Sequence, residues 1–260
     1  MGHSIQFALL QKEAIGPTAD QLKRAFKAFS NLTDADAVRL AAGARGILMK
    51  HLGQDAARAL QSAFQAGGIG TVIVAEEELP KLPEGRLLHR MDLWPQAFTV
   101  YDLLGRPTPV PWQEVALVAA GAAQGFEVHK TATERVTLGF NPFSGVWPKR
   151  AKDISHTIES GSQFLLEILL ADGSTRYQID AAQFSFKLVI DRPGLSTEVK
   201  FIWLVREICR QAGQAMLNAG ARSLHEGAQR MTDYTSRQMF LDEIVWLLWR
   251  GAHQKRFPGP

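Results

Sequence analysis

The spacing of apolar residues changes several times along the first 76 residues, and each change predicts a new element. A short apolar run at Ser4–Leu10 predicts a strand, and apolar residues three and four apart predict a helix after Pro17. A capping box at Thr33 predicts the start of a second helix. Residues 45–75 continue as a strand, a helix and a β-branched strand. We therefore predict a small α+β sandwich domain at residues 1–76.

A short proline-containing stretch separates this domain from the rest of the chain. Residues 77–86 hold two prolines and a glycine, and proline cannot donate a backbone hydrogen bond to a sheet, so we predict a linker there. Two apolar runs joined by a Gly-Arg-Pro turn predict a hairpin within residues 97–119, in which Pro107 is expected to stop the ladder. The pair Asp172-Gly173 predicts a second hairpin.

The C-terminal part combines a last strand with amphipathic helices. Alternating apolar residues predict a strand at Gln183–Ile190, and a helical period predicts a helix at Glu198–Asn218. A short helical piece is expected to end near Glu226, and a last helix to begin near Thr235. Residues 87–260 are thus predicted to form an antiparallel, barrel-like β domain with C-terminal helices. The predicted fold class of the chain is α+β.

The order of elements in the N-terminal part is shared with a known family. The matching elements are a helix, a short helix entered near Thr33, the strand Gly46–Lys50, the helix Asp55–Phe64 and the strand Thr71–Val74. Over Leu22–Val74 this order resembles the C-terminal domain of the bacterial ribosomal stalk protein, a family that docks translation factors through lysines on its helices. This chain has Lys23 and Lys27 on the first helix but only Arg39 on the second. The resemblance therefore implies the fold and does not extend to the partner.

The central strands and the helix after them show a second similarity. Up to seven predicted strands precede a long helix that contains Trp203, and the step Pro111–Val115 joins a proline and a tryptophan to an acidic and a β-branched residue. Over Leu87–Leu217 this order resembles a bacterial pleckstrin-homology-like domain. The resemblance implies binding of lipids, peptides or a second copy. Because the first hairpin turn offers only Arg106 as a cation, phosphoinositide binding is not expected.

Composition narrows the class of protein. Apolar residues make up 46% of the chain and charged residues 21%, as in a globular protein, and the formal net charge is +3. Dedicated nucleic-acid binders concentrate positive charge in a patch, whereas this sequence has only a short basic run near Lys149. A single cysteine suits a reducing compartment, and no signal peptide or membrane-spanning run is recognised. We expect a cytoplasmic protein with no strong nucleic-acid or membrane signal.

Motifs for catalysis or cofactor binding are not found in the sequence. The seven histidines are scattered, and the sequence has no phosphate loop, dinucleotide fingerprint or serine-hydrolase elbow. The glycine-rich run Ala66–Gly70 leaves a helix, whereas a phosphate cradle enters one. We therefore predict no cofactor, no metal and no catalytic residue. Asp153 and His156 form an alternative acid–base pair, and Cys209 is expected in the core.

The stretch Phe140–Lys152 combines aromatic residues with cations and is predicted as a long loop. Long loops are often functional, and aromatic residues with arginine are frequent in binding hot spots. The candidate binding residues are Phe140, Phe143, Trp147, Lys149, Arg150 and Lys152. They suit a partner anchor, a membrane wedge or a base-stacking platform. In the alternative interpretation, the aromatic rings close the open end of the barrel and the cations only solvate the loop.

The sequence leaves three hypotheses about function. We favour a non-enzymatic binding or adaptor protein whose partner is another protein or a second copy of the chain. The first alternative is an enzyme whose active site, near residues 140–156, forms only in the folded protein. The second alternative is a peripheral membrane or nucleic-acid binder that acts through Lys149–Lys152.

Overall fold

The computed structural model describes the backbone of residues 5–13, 16–28, 33–102, 104–141, 145–190 and 194–253, and for residues 125–161 it describes the backbone alone. The helices are α1 (Ala19–Ala28), α2 (Asp34–Gly43), α3 (Gln54–Ala66), α4 (Thr197–Gln211), α5 (Ala219–His225) and α6 (Arg237–His253). The strands are β1 (Phe7–Gln11), β2 (Ile47–Leu52), β3 (Thr71–Ala75), β4 (Gly85–Leu87), β5 (Met91–Leu93), β6 (Ala97–Tyr101), β7 (Pro107–Pro111), β8 (Val115–Asn141), β9 (Gly145–Leu170), β10 (Arg176–Asp180), β11 (Met216–Leu217) and β12 (Asp233–Tyr234). The predicted α+β class is confirmed. In the described part of the chain, no helix is long and apolar enough to cross a bilayer.

The N-terminal sheet has the strand order β2-β1-β3, and both pairs are antiparallel. Helices α1, α2 and α3 share a buried cluster with this sheet, in which the Phe26 and Phe64 rings meet edge to face at 5.1 Å. The predicted capping box is present, because Thr33 and Asp36 each accept a hydrogen bond from the backbone N–H of the other. The predicted order of elements over residues 5–75 is confirmed.

Two further sheets lie in the middle of the chain. One has the order β11-β8-β9-β10-β4, with β12 also paired to β8, and the other has the order β5-β6-β7. Among the described strands neither sheet closes on itself, because β4 pairs only with β10 and β5 pairs only with β6. In place of the barrel-like arrangement expected from the sequence, the structure has two open sheets.

The predicted hairpin around Asp172-Gly173 is present, because β9 and β10 pair there. At the first hairpin the turn is present, but the partner strand is a correction: β6 pairs with β7 (Pro107–Pro111), and the second apolar run, Glu114–Ala119, leads into β8 of a different sheet. We expected Pro107 to stop the first ladder, but Pro107 pairs with Tyr101, and two more prolines follow at alternate positions of β7. Since β7 pairs only with β6 among the described strands, the three positions without an N–H can face away from the ladder.

Two C-terminal predictions are wrong in detail. Residues 183–190 contain a 3-10 turn, Phe186–Leu188, in place of the predicted strand, because their backbone hydrogen bonds stay local. Helix α4 ends at Gln211 and not at Asn218, since the chain continues as β11 and pairs with β8. The short helix α5 and the last helix α6 lie where the sequence predicts them.

β8, with 27 residues, and β9, with 26 residues, are the longest of the described strands, and they pair with each other. Only residues 142–144 lie between the two strands. The prediction of a long loop at residues 140–152 is therefore wrong, because most of that stretch belongs to β8 or β9. β-Branched residues recur between residues 128 and 138, which favours an extended backbone. Residues 124–162 form one compact unit, and residues 1–123 with 163–260 form another.

The larger unit contains residues from both sides of the predicted linker. Buried Ala8 and Leu10 belong to the same apolar cluster as Phe240 and Ile244 of α6. Most of the predicted linker at residues 77–86 connects β3 with β4 inside this unit, and its last two residues, Gly85 and Arg86, belong to β4 itself. The division of the chain into two domains at the linker stays a prediction.

Candidate functional site

A cavity of about 640 Å³ lies where β4 approaches the turn of the β6–β7 hairpin, and we call it the Arg90 groove. Its lining residues come from Arg86–Arg90, from Val100–Thr108 and from Tyr177 of β10. Pockets of roughly 300–1,000 Å³ are typical of ligand sites. The groove therefore has the size of a binding site, and three separate segments of the chain build it.

The Arg90 groove follows the free edge of β4. This strand pairs with β10 on one side, and no described strand pairs with it on the other. Arg86 and Leu87 are neighbours in β4, so their side chains point to opposite faces of the sheet, yet both residues line the groove. Because side chains from both faces of β4 line the cavity, the cavity must extend around the edge of this strand. The groove consequently borders backbone N–H and C=O groups that no described strand uses.

Two arginines give the groove its charge. The Arg90 guanidinium lies 4.2 Å from the centre of the Tyr101 ring, a cation–π contact, and faces the turn at Gly105. A Cβ at Gly105 would lie 3.1 Å from Arg90 Nη2, and Gly105 also has a φ of +76°. Neither Arg86 nor Arg90 forms an ion pair with a described carboxylate. Both arginines are exposed, and their guanidinium groups keep hydrogen-bond donors for a ligand.

The acidic residues near the groove are already engaged. Asp102 accepts hydrogen bonds from the backbone and the side chain of Arg106, the latter at 2.6 Å, and these contacts lower the pKa of Asp102. The Asp92 carboxylate accepts a hydrogen bond from the Tyr101 hydroxyl. Two arginines line the groove, whereas Asp102, the one carboxylate among its described lining residues, is paired with Arg106, so the charge that faces the groove is positive.

The two tyrosines of the groove are neutral at physiological pH. The hydrogen bond to Asp92 raises the pKa of Tyr101, since ionisation would place two negative charges together. Burial raises the pKa of Tyr177, and the nearby Arg86 lowers it to a smaller extent. Neither ring therefore adds a negative charge that would offset the arginines.

The floor of the groove is apolar. Leu88, Val100 and Tyr177 are buried there, and Tyr177 packs edge to face against Phe98 at 6.1 Å. At the rim, Leu104 is 78% exposed. A rigid apolar floor beside exposed cations suits a ligand that carries both a negative charge and an apolar group.

A second polar cluster, around Glu167 of β9, lies in the core. Glu167 is 1% exposed; its Oε1 accepts a hydrogen bond from Gln178 Nε2 at 3.0 Å, and its Oε2 lies 3.7 Å from Arg176 Nε. Burial raises the pKa of Glu167 to about 7, although Arg176 and Arg237 lower it in part. The adjoining cavity measures only about 140 Å³, so we assign this cluster to stability and not to ligand binding.

This buried carboxyl predicts a pH dependence of stability. In the unfolded chain Glu167 titrates near its ordinary pKa of 4.5, whereas in the folded protein it titrates near 7. The folded state therefore holds the extra proton, and the stability gained below pH 4.5 is lost as the pH rises through 7. We expect the free energy of unfolding to fall by on the order of 3 kcal/mol more in the wild type than in Glu167→Gln over this range. Urea titrations of both proteins between pH 4.5 and 8 would measure the difference, and parallel curves would contradict it.

The sequence-predicted binding residues cannot be placed as a site. The backbone of Phe140 lies in β8, and the backbones of Trp147, Lys149, Arg150 and Lys152 lie in β9, but their side chains lie outside the described residues. Phe143 lies outside them altogether. The side chains of the alternative acid–base pair, Asp153 and His156, lie outside them as well.

The residues of the Arg90 groove were not singled out from the sequence. The structure divides residues 87–92 between β4 and β5, which belong to different sheets. In the sequence, the signal for this site is a pair of arginines spaced four residues apart. The pair forms a groove only together with the β6–β7 hairpin and Tyr177, which lie further along the chain.

Metal or thiol chemistry finds no support in the described residues. They contain no group of three histidine, cysteine, aspartate or glutamate side chains that could hold a metal ion. Cys209 is buried in the core, as expected from the sequence, and burial raises the pKa of its thiol to about 12. A thiol with this pKa does not supply a thiolate nucleophile at neutral pH.

Comparisons with known proteins gave no match to a protein-family model, to a curated protein or to a solved structure. The resemblances to the ribosomal stalk domain and to pleckstrin-homology-like domains therefore stay predictions from the sequence.

Proposed function

We propose that this chain is a binding protein that takes an extended, acidic segment of another protein along the free edge of β4. The observation that carries this proposal is the Arg90 groove, where Arg86 and Arg90 lie beside an unpaired strand edge without a described carboxylate partner. The proposal keeps the adaptor hypothesis and places the binding surface at residues 86–108. The single cysteine of the chain suits a reducing compartment, and we place this function in the cytoplasm.

Charge selects the class of partner. An arginine binds a carboxylate through two parallel N–H···O hydrogen bonds, which are stronger than bonds between neutral groups. Two arginines in one groove therefore favour a segment with at least two acidic side chains. Cationic segments are rejected, because they would leave Arg86 and Arg90 facing like charge.

The strand edge selects the conformation of the partner. An extended peptide that adds to a sheet edge gains backbone hydrogen bonds in every second position, and its alternate side chains reach the same face. Residues on one face of such a peptide would meet the arginines, and an apolar side chain would rest on the floor formed by Leu88 and Val100. A helical or compact ligand would leave the edge of β4 unpaired.

A peptide-display selection tests this function and finds the preferred partner sequence in the same experiment. Random peptides are selected against the full chain and against the double variant Arg86→Glu/Arg90→Glu. We expect the wild type to enrich peptides in which acidic residues alternate with apolar ones. A selected peptide should bind the double variant at least about tenfold more weakly in fluorescence anisotropy.

Arg24→Glu/Arg58→Glu is the matched control, because it reverses two exposed arginines on α1 and α3, away from the groove. This control should keep the affinity of the wild type within about twofold, apart from a small effect of net charge. If the wild type enriches no acidic peptides, or if both double variants lose the same affinity, the proposed function is wrong.

A further inference from the structure

A second cavity, of about 330 Å³, lies between the elements around the N-terminal sheet and α6, within the larger compact unit. Three polar or charged side chains line it: Gln11 of β1, Arg45 before β2 and Glu243 of α6. The indole N–H of Trp246 donates to the Gln11 backbone carbonyl at 2.9 Å. The rest of the lining is small or apolar and includes Leu22, Ala44 and the Trp246 ring. No residue is shared with the Arg90 groove.

Gln11 supplies an acceptor without a partner. Its side-chain Nε2 donates to the Glu13 carbonyl at 3.1 Å, but its buried Oε1 has no hydrogen-bond partner, although Gln11 is only 4% exposed. Nearly all buried polar atoms in folded proteins are paired, so this oxygen calls for an explanation. Because Gln11 lines the cavity, a donor bound there would provide the missing partner.

Glu243 supplies a buried carboxylate that forms no ion pair with a described cation. It is 4% exposed; Oε1 accepts a hydrogen bond from the Ala219 N–H at 2.9 Å, and Oε2 accepts one from the Tyr234 hydroxyl and a long one, at 3.5 Å, from Asn218 Nδ2. All three donors are neutral. A carboxylate has about four acceptor positions, more than these three bonds use, so it can still bind a cationic donor.

Arg45 supplies the opposite charge on the same cavity. Its guanidinium lies 5.4 Å from the centre of the Tyr234 ring, and it forms no ion pair with a described carboxylate. Arg45 and Glu243 are therefore two unlike charges that line one cavity without pairing with each other. A ligand with its own separated charges can bind both.

We propose that this cavity binds a small amino carboxylate, such as an α-amino acid. The ligand carboxylate pairs with Arg45, and its ammonium group donates to Gln11 Oε1 and to Glu243. The cavity volume, near the lower end of the range for ligand pockets, suits a molecule of this size. An inorganic anion would use Arg45 alone and would meet the Glu243 charge, and a metal ion would find only one carboxylate.

Saturation-transfer NMR with the full chain and a panel of proteinogenic amino acids, each at up to about 10 mM, identifies the ligand. Calorimetry then compares the tightest binder with two analogues, one without the ammonium group and one without the carboxylate. We expect both analogues to bind at least about tenfold more weakly, because each leaves one charged group of the cavity unpaired. If no amino acid binds, or if either analogue binds as well as the parent, the proposal is overturned.

Variants of the chain test the assigned residues. Gln11→Met keeps the length of the side chain but removes the acceptor, and it should weaken binding at least about tenfold without lowering Tm. Gln61→Met, which changes a glutamine of α3 outside the cavity, is the matched control and should bind normally. Arg45→Gln, at a half-buried position, is the second variant. Normal binding by both Gln11→Met and Arg45→Gln would overturn the proposal.

Discussion

Replacing Asn218 with alanine is expected to lower the free energy of unfolding by about 4 kcal/mol. The amide of this fully buried side chain forms hydrogen bonds with the backbone of β8, as a neighbouring strand would. Its Oδ1 accepts hydrogen bonds from the backbone N–H groups of Ala120 and Ala221, both at 2.9 Å. Its Nδ2 donates to the Ala120 carbonyl at 3.1 Å and to the Tyr234 hydroxyl at 2.8 Å. Alanine would leave all four groups without these partners.

The position of Asn218 explains the size of this effect. β11 pairs with β8 at Leu117 and Val118, and β12 pairs with β8 at Ala122 and Ala123. Between these two short ladders, the Asn218 amide binds both backbone groups of Ala120. The same side chain also caps the N-terminus of α5. One amide thus joins the sheet edge to the helix.

Urea denaturation of Asn218→Ala measures the loss. Gln229→Ala is the matched control, because Gln229 is exposed and its side chain donates a hydrogen bond to the nearby Gly227 carbonyl. The control should change the free energy of unfolding by less than about 0.5 kcal/mol. A loss of under about 1 kcal/mol in Asn218→Ala would show that the network is not the support that we describe.

Replacing Gly220 with alanine is the second change with a large expected effect, a loss of about 3 kcal/mol or more. Gly220 lies in the first turn of α5, and its φ is not in the left-handed region, so conformational freedom is not the reason. A Cβ there would lie 1.9 Å from the Ala120 carbonyl oxygen and 3.0 Å from its carbon. Because the obstacle is backbone within β8, a side-chain rotation cannot relieve the contact.

Replacing a glycine with alanine inside a helix usually raises the free energy of unfolding. Alanine favours a helix over glycine by up to about 1 kcal/mol, so a strong destabilisation identifies the close approach of α5 to β8 as the cause. Gly213→Ala is the control, since its new Cβ would meet nothing nearer than the Arg210 carbonyl at 4.0 Å. Thermal unfolding of both variants tests this explanation, and we expect a lower Tm for Gly220→Ala than for Gly213→Ala. Equal Tm values would contradict the close packing of α5 on β8.

The elements with long, regular signals could be predicted from the sequence. The order of elements over residues 5–75, the Asp172-Gly173 hairpin and helix α6 are present, because apolar periodicity, caps and turn residues all point to the same structure there. The prediction failed where tertiary pairing overrides the local signal. β7 contains three prolines and is still a strand, because among the described strands it pairs on one side only.

Neither candidate site could be predicted from the sequence. The Arg90 groove combines residues of two sheets, and the smaller cavity combines Gln11 with Glu243, which lie at opposite ends of the chain. No short motif records such a juxtaposition. Both sites are also recognised by polar groups that lack a partner among the described residues. Arg86 and Arg90 pair with no described carboxylate, and Gln11 Oε1 accepts no hydrogen bond. Such pairing depends on the folded structure.

Hydrogen exchange, measured by mass spectrometry on the full chain with and without a display-selected acidic peptide, distinguishes strand addition at β4 from binding elsewhere on the chain. Strand addition at the edge of β4 predicts slower exchange of backbone amides within residues 85–90 when the peptide is bound, and no such change in Arg86→Glu/Arg90→Glu. Protection that leaves residues 85–90 unchanged and falls instead on residues 140–152 would contradict the Arg90 groove as the binding surface.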